Sequence, residues 1–285
     1  MTLNELLARV EALRGEVDAL RPLDPEQEAR LVQKLNLEWN YHSNAIEGNT
    51  LTLGETRAFL LYGITAQGKP FRDYLDIRGH HDAIRYLEEL VRGGEALTEA
   101  AIRELHHILL VEAYDMDAIT ADGWPTRRRI AIGCYKTAPN HVRTATGETH
   151  FYATPLETPA LMGELLAWYR REAQAGALHP LVLAATFHYR FVAIHPFDDG
   201  NGRMARLLTN LILMQHGFVP VVIPLEARGD YLLALERADA GDLAEGLRVA
   251  LFQAAAGGNE ALPPGQRVLF GVTGLGRLDR VFAVF

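Results

Sequence analysis

The chain has 285 residues, is 48% hydrophobic and carries a formal net charge of −8. That size and apolar fraction fit one large globular domain or two small ones. A single cysteine, Cys134, excludes a disulfide framework and a cysteine-rich zinc site. With an acid excess and no basic run longer than Arg127-Arg128-Arg129, neither nucleic acid nor anionic membrane is expected as a partner.

The opening stretch MTLNELLARVEALR carries acids in an amphipathic pattern and does not read as a signal peptide. Apolar residues at Leu3, Leu6, Val10, Leu13, Val17 and Leu20 follow a 3-4-3-4-3 spacing, which predicts a helix packed on its own domain, closed by Pro22 and Pro25. A second helix is predicted in EQEARLVQKLNLEWNYHSNAIEG, ended by Gly48, Asn49 and Thr50. Helical patterns continue through LGETRAFLLYG, YLDIRGHHDAIRYLEELVRG and LTEAAIRELHHILLVEAY, the last with Thr98 as N-cap. The character then changes. WPTRRRIAIGCYKTAPNHVRTATGETHFYATP is rich in β-branched and aromatic residues, with a hairpin tip predicted at 145–148. Helices return in TPALMGELLAWYRREA and in PLVLAATFHYRFVAI, where Pro180 sits in the first turn. RMARLLTNLILMQH is stopped by Gly217, and YLLALERADAG and DLAEGLRVALFQAAAG follow. No apolar run reaches the roughly 20 residues of a membrane span. The expectation is a soluble, cytoplasmic protein, mostly α with one β-hairpin.

Between the last two long apolar helices stands HPFDDGNGRMAR, residues 195–206. His195 precedes a proline and is therefore biased away from helix. Gly200-Asn201-Gly202 is able to adopt backbone shapes that turn successive N–H groups into one concavity. The helix that starts beside it adds its own N–H groups and dipole. Arg203 and Arg206 share a helix face, and two guanidinium forks beside such a nest suit a polyphosphate. Asp199 is a hard oxygen ligand of the kind Mg²⁺ takes together with phosphate oxygens. His195 is the one base in the loop matched to neutral pH. Singly, a His before Pro, a Gly-Asn-Gly turn or two arginines are ordinarily structural; their joint spacing points to a nucleotide-phosphate site with a general base. A metal site of His195 and Asp199 alone lacks ligands. The familiar phosphate-loop ending Gly-Lys-Ser/Thr is missing.

This stretch resembles the signature of the Fic family, His-Pro-Phe-x-Asp/Glu-Gly-Asn-Gly-Arg-x-x-Arg, at every fixed position. The resemblance extends outward over about residues 30–255. It implies a Fic-type helical bundle with one β-hairpin flap, and a protein adenylyltransferase that moves AMP from ATP to a Ser, Thr or Tyr hydroxyl of a target protein. It makes His195 the general base and Asp199 the Mg²⁺ ligand. Asn201, with the backbone of Gly200 and Gly202, becomes the anion hole. Arg203 binds phosphates and Arg206 meets the γ-phosphate. Tyr231 matches an aromatic near the nucleotide base, or is a packing residue of its helix. The segment Asn140–Pro155 resembles the flap, which docks a target strand by β-augmentation.

Ser43 and Glu47, in SNAIEG, are i and i+4 on one helix face, and an acid near a helix C-terminus is unfavourably placed unless a partner compensates. The segment resembles the family's inhibitory motif, Ser/Thr-x-x-x-Glu-Gly/Asn. It implies that Glu47 pairs with Arg206 and withholds it from ATP. The expected organisation is an N-terminal helical region carrying the inhibitory motif (1–95), a catalytic core (96–258) and a tail of no assigned role (259–285). The resemblance leaves a homodimer open. The alternatives are removal of AMP, another nucleotidyl donor or phosphoryl transfer on the same fold, and a non-catalytic nucleotide-binding regulatory module, against which the intact His195 argues.

Overall fold

A computed structural model describes residues 2–19, 21–120, 123–143 and 149–239. The predicted hairpin tip at 145–148, the helix read in DLAEGLRVALFQAAAG and the tail at 259–285 lie outside the described residues.

The chain order is α1 (Leu3–Asp18), α2 (Pro25–Ile46), α3 (Leu53–Tyr62), α4 (Phe71–Gly93), α5 (Glu99–Leu110), β1 (Tyr114–Ile119), β2 (Pro125–Ile130), β3 (Val142–Arg143), β4 (Thr149–His150), α6 (Thr158–Ala175), α7 (Pro180–Ile194), α8 (Asn201–Gln215) and α9 (Arg228–Asp239), with a 3-10 turn at Leu225–Ala227. Local chemistry sets the helix starts. The Asp24 carboxylate accepts from the N–H groups of Glu26 and Gln27 ahead of Pro25. Thr52 and Glu55 form a reciprocal capping box. Thr98 caps α5 by accepting from Ala101 N at 3.1 Å, as its sequence position predicts, and Pro180 opens α7.

Two features differ from the sequence reading. The run LTEAAIRELHHILLVEAY does not stay helical to its end: α5 stops at Leu110, Val111 turns at φ 64°, and Tyr114 begins β1. Residues 114–119 instead pair antiparallel with β2, Tyr114 opposite Ile130 and Asp117 opposite Arg127. A second hairpin therefore accompanies the expected one, in which β3 and β4 pair with Val142 opposite His150. The long-range pairing of β1 outweighs the local helical pattern, because each strand satisfies the other's backbone groups.

The core is built around α7 and α8. Phe187 and Phe191 of α7 and Leu207, Leu208, Leu211 and Ile212 of α8 are fully buried. Ile84 and Leu87 of α4, Leu105 and Leu109 of α5, and Met162 of α6 join the same cluster, as do Val10 of α1 and Trp39 of α2. Each such side chain contributes about 1.5–3 kcal/mol by leaving water. The loop 195–200 thus hangs between the ends of the two most deeply packed helices. Helix α2 is tied against this centre by polar contacts: Asn40 Nδ2 donates to Ile77 O of α4 at 2.9 Å. Its C-terminal end is held from further along the chain, where Arg228 Nε donates to Ile46 O at 2.8 Å.

Candidate active site

His195 is the residue that ends α7. Its backbone is left-handed (φ 52°, ψ 60°) and its N–H closes the helix on Phe191 O. Pro196 then forbids continuation. Five residues later α8 begins, with Gly200 at φ 79° and no side chain capping the helix start. A side chain at Gly200 would be strained by that φ and would press on Leu110. The first N–H groups of α8 therefore open onto the loop as an anion nest.

Asn201 braces the loop from inside. Its Oδ1 accepts from Phe197 N at 2.9 Å and its Nδ2 donates to Phe197 O at 2.8 Å. The same Nδ2 lies 3.3 Å from His195 Nδ1. His106 of α5 stacks on Phe197 with ring centroids 3.8 Å apart and touches Asp199 O through Nε2 at 3.0 Å. Asp199 is held by two donors on one oxygen: Tyr114 Oη–H donates to Oδ2, and Arg203 Nη2 reaches it at 3.0 Å. Oδ1 lies outside those two contacts. Burial opposes ionisation of Asp199, yet the Arg203 guanidinium and the Tyr114 hydrogen bond keep its carboxyl below the ordinary carboxylate range. Arg203 itself bridges to Asp76 of α4 at 2.8 Å, which fixes its fork.

Arg206 lies three residues on, 5% exposed. Its Nε donates to Ser43 Oγ at 3.0 Å, and Nη2 donates to Ser43 O at 2.8 Å and to Glu47 Oε1 at 2.7 Å. Burial disfavours the guanidinium charge, but Glu47 and Tyr231 more than restore it. Glu47 is the C-cap of α2 and reaches across to α8. A side chain at Gly202 would collide with Glu47 Oε1, so the glutamate rests against the first turn of α8. The acid is misplaced for its own helix and compensated by another.

The structure therefore brings together His195, Asp199, Gly200, Asn201, Gly202, Arg203 and Arg206 on one loop and helix start, with Ser43 and Glu47 docked on them from α2. Tyr231 stands behind this group. It is 4% exposed, its hydroxyl contacts His188 Nε2 at 3.0 Å, and its ring flanks Arg206. His188 in turn meets Thr209 Oγ1 at 2.9 Å.

Sequence reading passed over the groups that hold these residues. Tyr114 and Asp76 anchor Asp199 and Arg203. Arg128 of β2 bridges to Asp198 and also donates to Ala138 O and Pro139 O, which fastens the flap's approach to the loop. Lys136, 2% exposed, donates to Asn140 Oδ1 and Ile194 O. None carries a local signature. Only the alternation of charge on 115–117 against 127–129 hints that two strands pair.

His195 is neutral at physiological pH. Burial and then the nearby Lys136 ammonium push its imidazole down to about 3, against the opposing pull of Asp199. Tyr152 of the flap stacks on it with centroids 4.0 Å apart and planes 8° from parallel. A neutral imidazole, an N–H nest and two guanidinium groups together suit proton abstraction beside a polyphosphate.

Comparison with known proteins finds relatives over most of the chain. The family model described as Fic/DOC family matches residues 96–213, a span that contains the whole loop and α8. A Fic domain-containing signaling protein from Bacteroides thetaiotaomicron is 40% identical, with a TM-score of 0.75 over 84% of this chain and 85% of that one. A segment of Fic-1 from C. elegans is 31% identical, with a TM-score of 0.69 over 87% of this chain and 68% of that one. Among curated relatives, "Protein adenylyltransferase Fic" from Nematostella vectensis is 32% identical over 240 residues, covering 84% of this chain and 51% of that protein. The chain spans about half the length, or less, of the curated relatives it matches. Sequence signature, loop geometry and the likeness to the Bacteroides structure over most of both chains converge: this chain belongs to the Fic/DOC family.

Proposed function

We propose that the chain transfers AMP from ATP to a Ser, Thr or Tyr hydroxyl of a target protein, and that Glu47 restrains the reaction. The observation that carries this reading is the convergence of a base, an anion nest and two guanidinium forks, one of them held by Glu47 at 2.7 Å. The triphosphate lies along the nest and Arg203, with its γ-phosphate toward Arg206. The target hydroxyl oxygen bonds to the α-phosphorus, the bond from that phosphorus to the pyrophosphate oxygen breaks, and the hydroxyl proton passes to His195. The N–H groups of the nest and the arginines hold the charge that develops on the leaving pyrophosphate.

Among the described residues no three His, Cys, Asp or Glu gather into a protein-only metal cage. One half-buried carboxylate beside a phosphate nest nevertheless fits Mg²⁺, which takes one or two carboxylates plus phosphate oxygens. Asp199 is the residue that would hold it, and the ion would neutralise phosphate charge. The target segment would lie along the flap at Asn140–Pro155, adding a strand to it by main-chain hydrogen bonds. Residues 1–95 then supply the restraint and 96–258 the catalytic core.

Glu47 competes for the group that the γ-phosphate needs. A nucleotide displaced by about 1 Å loses on the order of a hundredfold in rate. The test compares the unaltered protein, Glu47→Gly, and Glu47→Gly with His195→Ala, using ATP labelled at the α-phosphate, Mg²⁺ and a mixture of candidate proteins. Label on protein that appears with Glu47→Gly and vanishes with His195→Ala supports transfer, base and restraint together. Silence in all three, with γ-labelled ATP and labelled UTP also silent, would overturn the reading in favour of AMP removal or a non-catalytic module.

A further inference from the structure

The first residue of the flap segment touches the base. Asn140 Nδ2 lies 2.7 Å from His195 Nδ1 and 2.7 Å from Phe197 O, with His195 O at 3.3 Å. Asn140 Oδ1 accepts from Lys136 Nζ at 2.9 Å, and that ammonium also donates to Ile194 O at 3.1 Å. The Lys136 backbone N–H is itself bonded to Pro196 O at 2.9 Å. Lys136 is thus pinned to both sides of His195 by main-chain contacts, and its ammonium dictates which way the Asn140 amide faces.

An amide nitrogen donates and has no lone pair to accept with. The 2.7 Å contact is a hydrogen bond only if His195 Nδ1 is the acceptor. Reversing the Asn140 amide does not rescue the alternative. It would set Oδ1 2.7 Å from Phe197 O and turn the NH₂ group onto the Lys136 ammonium at 2.9 Å, two repulsive contacts in place of two bonds. Asn201 adds a second donor at 3.3 Å, and its orientation is fixed by Phe197 N on Oδ1. Two donors therefore converge on Nδ1, and a neutral imidazole so placed carries its proton on Nε2. A base needs the opposite arrangement. With Nδ1 enclosed by two amides, Nε2 is the nitrogen left for an incoming hydroxyl, and it is already protonated.

We propose that Asn140, oriented by Lys136, is a positioning residue that holds His195 as the Nε2–H tautomer, and that His195 becomes competent as a base only when Asn140 withdraws from Nδ1. This is a second restraint, separate from Glu47. Its consequence for rate rests on the AMP-transfer reading; the tautomer itself does not. The switch needs no net charge: a proton leaves Nε2 and one arrives on Nδ1, both through solvent. Asn140 lies two residues before β3 of the flap, so a target strand added to the flap acts on the segment that carries the amide.

The experiment reads the tautomer directly. The full chain is labelled with ¹⁵N at its histidines, and the His195 ring signals are assigned by their loss in His195→Ala. Long-range ¹H–¹⁵N spectra at neutral pH are then recorded for the unaltered protein, Asn140→Asp, which replaces the donor by an acceptor, and Asn140→Ala, which removes it. The expected signature is a pyridine-type Nδ1 with a pyrrole-type Nε2 in the unaltered protein, inversion in Asn140→Asp, and a measurably weaker preference for Nε2–H in Asn140→Ala, where only the longer Asn201 contact at 3.3 Å remains. In a Glu47→Gly background, Asn140→Asp is expected to raise label transfer by roughly tenfold or more, given the ~10⁴-fold that a wrong tautomer costs a serine protease. A pyrrole-type Nδ1 in the unaltered protein would overturn the proposal, and so would an unchanged tautomer in whichever variant folds. Inversion without any label transfer would instead remove the AMP-transfer reading and leave the tautomer assignment standing.

Discussion

Replacing Glu47 by glycine is expected to weaken the fold and strengthen nucleotide binding at once. Arg206 is 5% exposed and Glu47 40% exposed, so their contact is half-way between a buried and a surface ion pair. Removing one member of a buried pair costs about 3–5 kcal/mol, whereas surface pairs are worth about 0–1 kcal/mol. Arg206 keeps its two bonds to Ser43, and water reaches the side that Glu47 vacates. A loss of about 1–2 kcal/mol follows. At roughly 2–4 °C per kcal/mol, that lowers Tm by about 2–8 °C. The freed guanidinium is then available to a γ-phosphate. If the competition has been weakening binding tenfold, the same excess of Mg²⁺-ATP stabilises the variant by about 1.4 kcal/mol more than the unaltered protein. Thermal unfolding with and without Mg²⁺-ATP measures both effects on one sample. A variant as stable as its parent, with an equal nucleotide-induced rise in Tm, would refute the competition argument.

Ser43→Ala should release the restraint in part, because the Arg206 Nε loses its acceptor at 3.0 Å while Glu47 stays; a stability loss of about 1–3 kcal/mol is expected, with label transfer between that of the parent and Glu47→Gly. Arg128→Ala strands the Asp198 carboxylate, whose side chain is 4% exposed, and should cost about 3–5 kcal/mol in denaturant unfolding. Adding Asp198→Asn should recover part of that loss, and a double-mutant cycle without coupling would contradict the contact. His188 is buried and uncharged, its imidazole pushed from 6.5 to about 3 by burial and then by Arg206. Below pH 6.5 the unfolded chain binds a proton that the folded one refuses. Stability is therefore full above that pH and falls as pH drops toward 3, by up to about 1.4 kcal/mol per unit from this residue. Denaturant midpoints at neutral and mildly acid pH should separate less in His188→Gln than in the parent.

Much of the site was legible because it is local. His195 to Arg206 sit within one turn and the start of one helix, and proline, glycine and asparagine have fixed conformational meanings there. Ser43 and Glu47 were legible through their i, i+4 spacing and through an acid at the wrong helix end. Caps at Thr98 and Pro180 were readable for the same reason. What escaped is tertiary. Tyr114 reads as the tail of an amphipathic helix until β2 is present to pair with it. Asp76, Arg128 and Lys136 look like any surface charge in a linear string, and only the fold sets them against Arg203, Asp198 and Asn140. Tyr231 left two placements open, since an aromatic on a helix face has the same spacing whether it lines a ligand or packs on a neighbour.

The contact between Glu47 and Arg206 joins positions 159 residues apart, with the acid first. Ribosomes deliver chains from the N-terminus at about 5–20 residues per second. The end of helix α2 is therefore already synthesised for about 8–30 s when Arg206 emerges. The order of the two segments means that Arg206 never leaves the ribosome ahead of the group that holds it. An arrangement with the acid downstream would leave the Arg206 guanidinium without that partner on every nascent chain; this order makes the acid available before the guanidinium it pairs with.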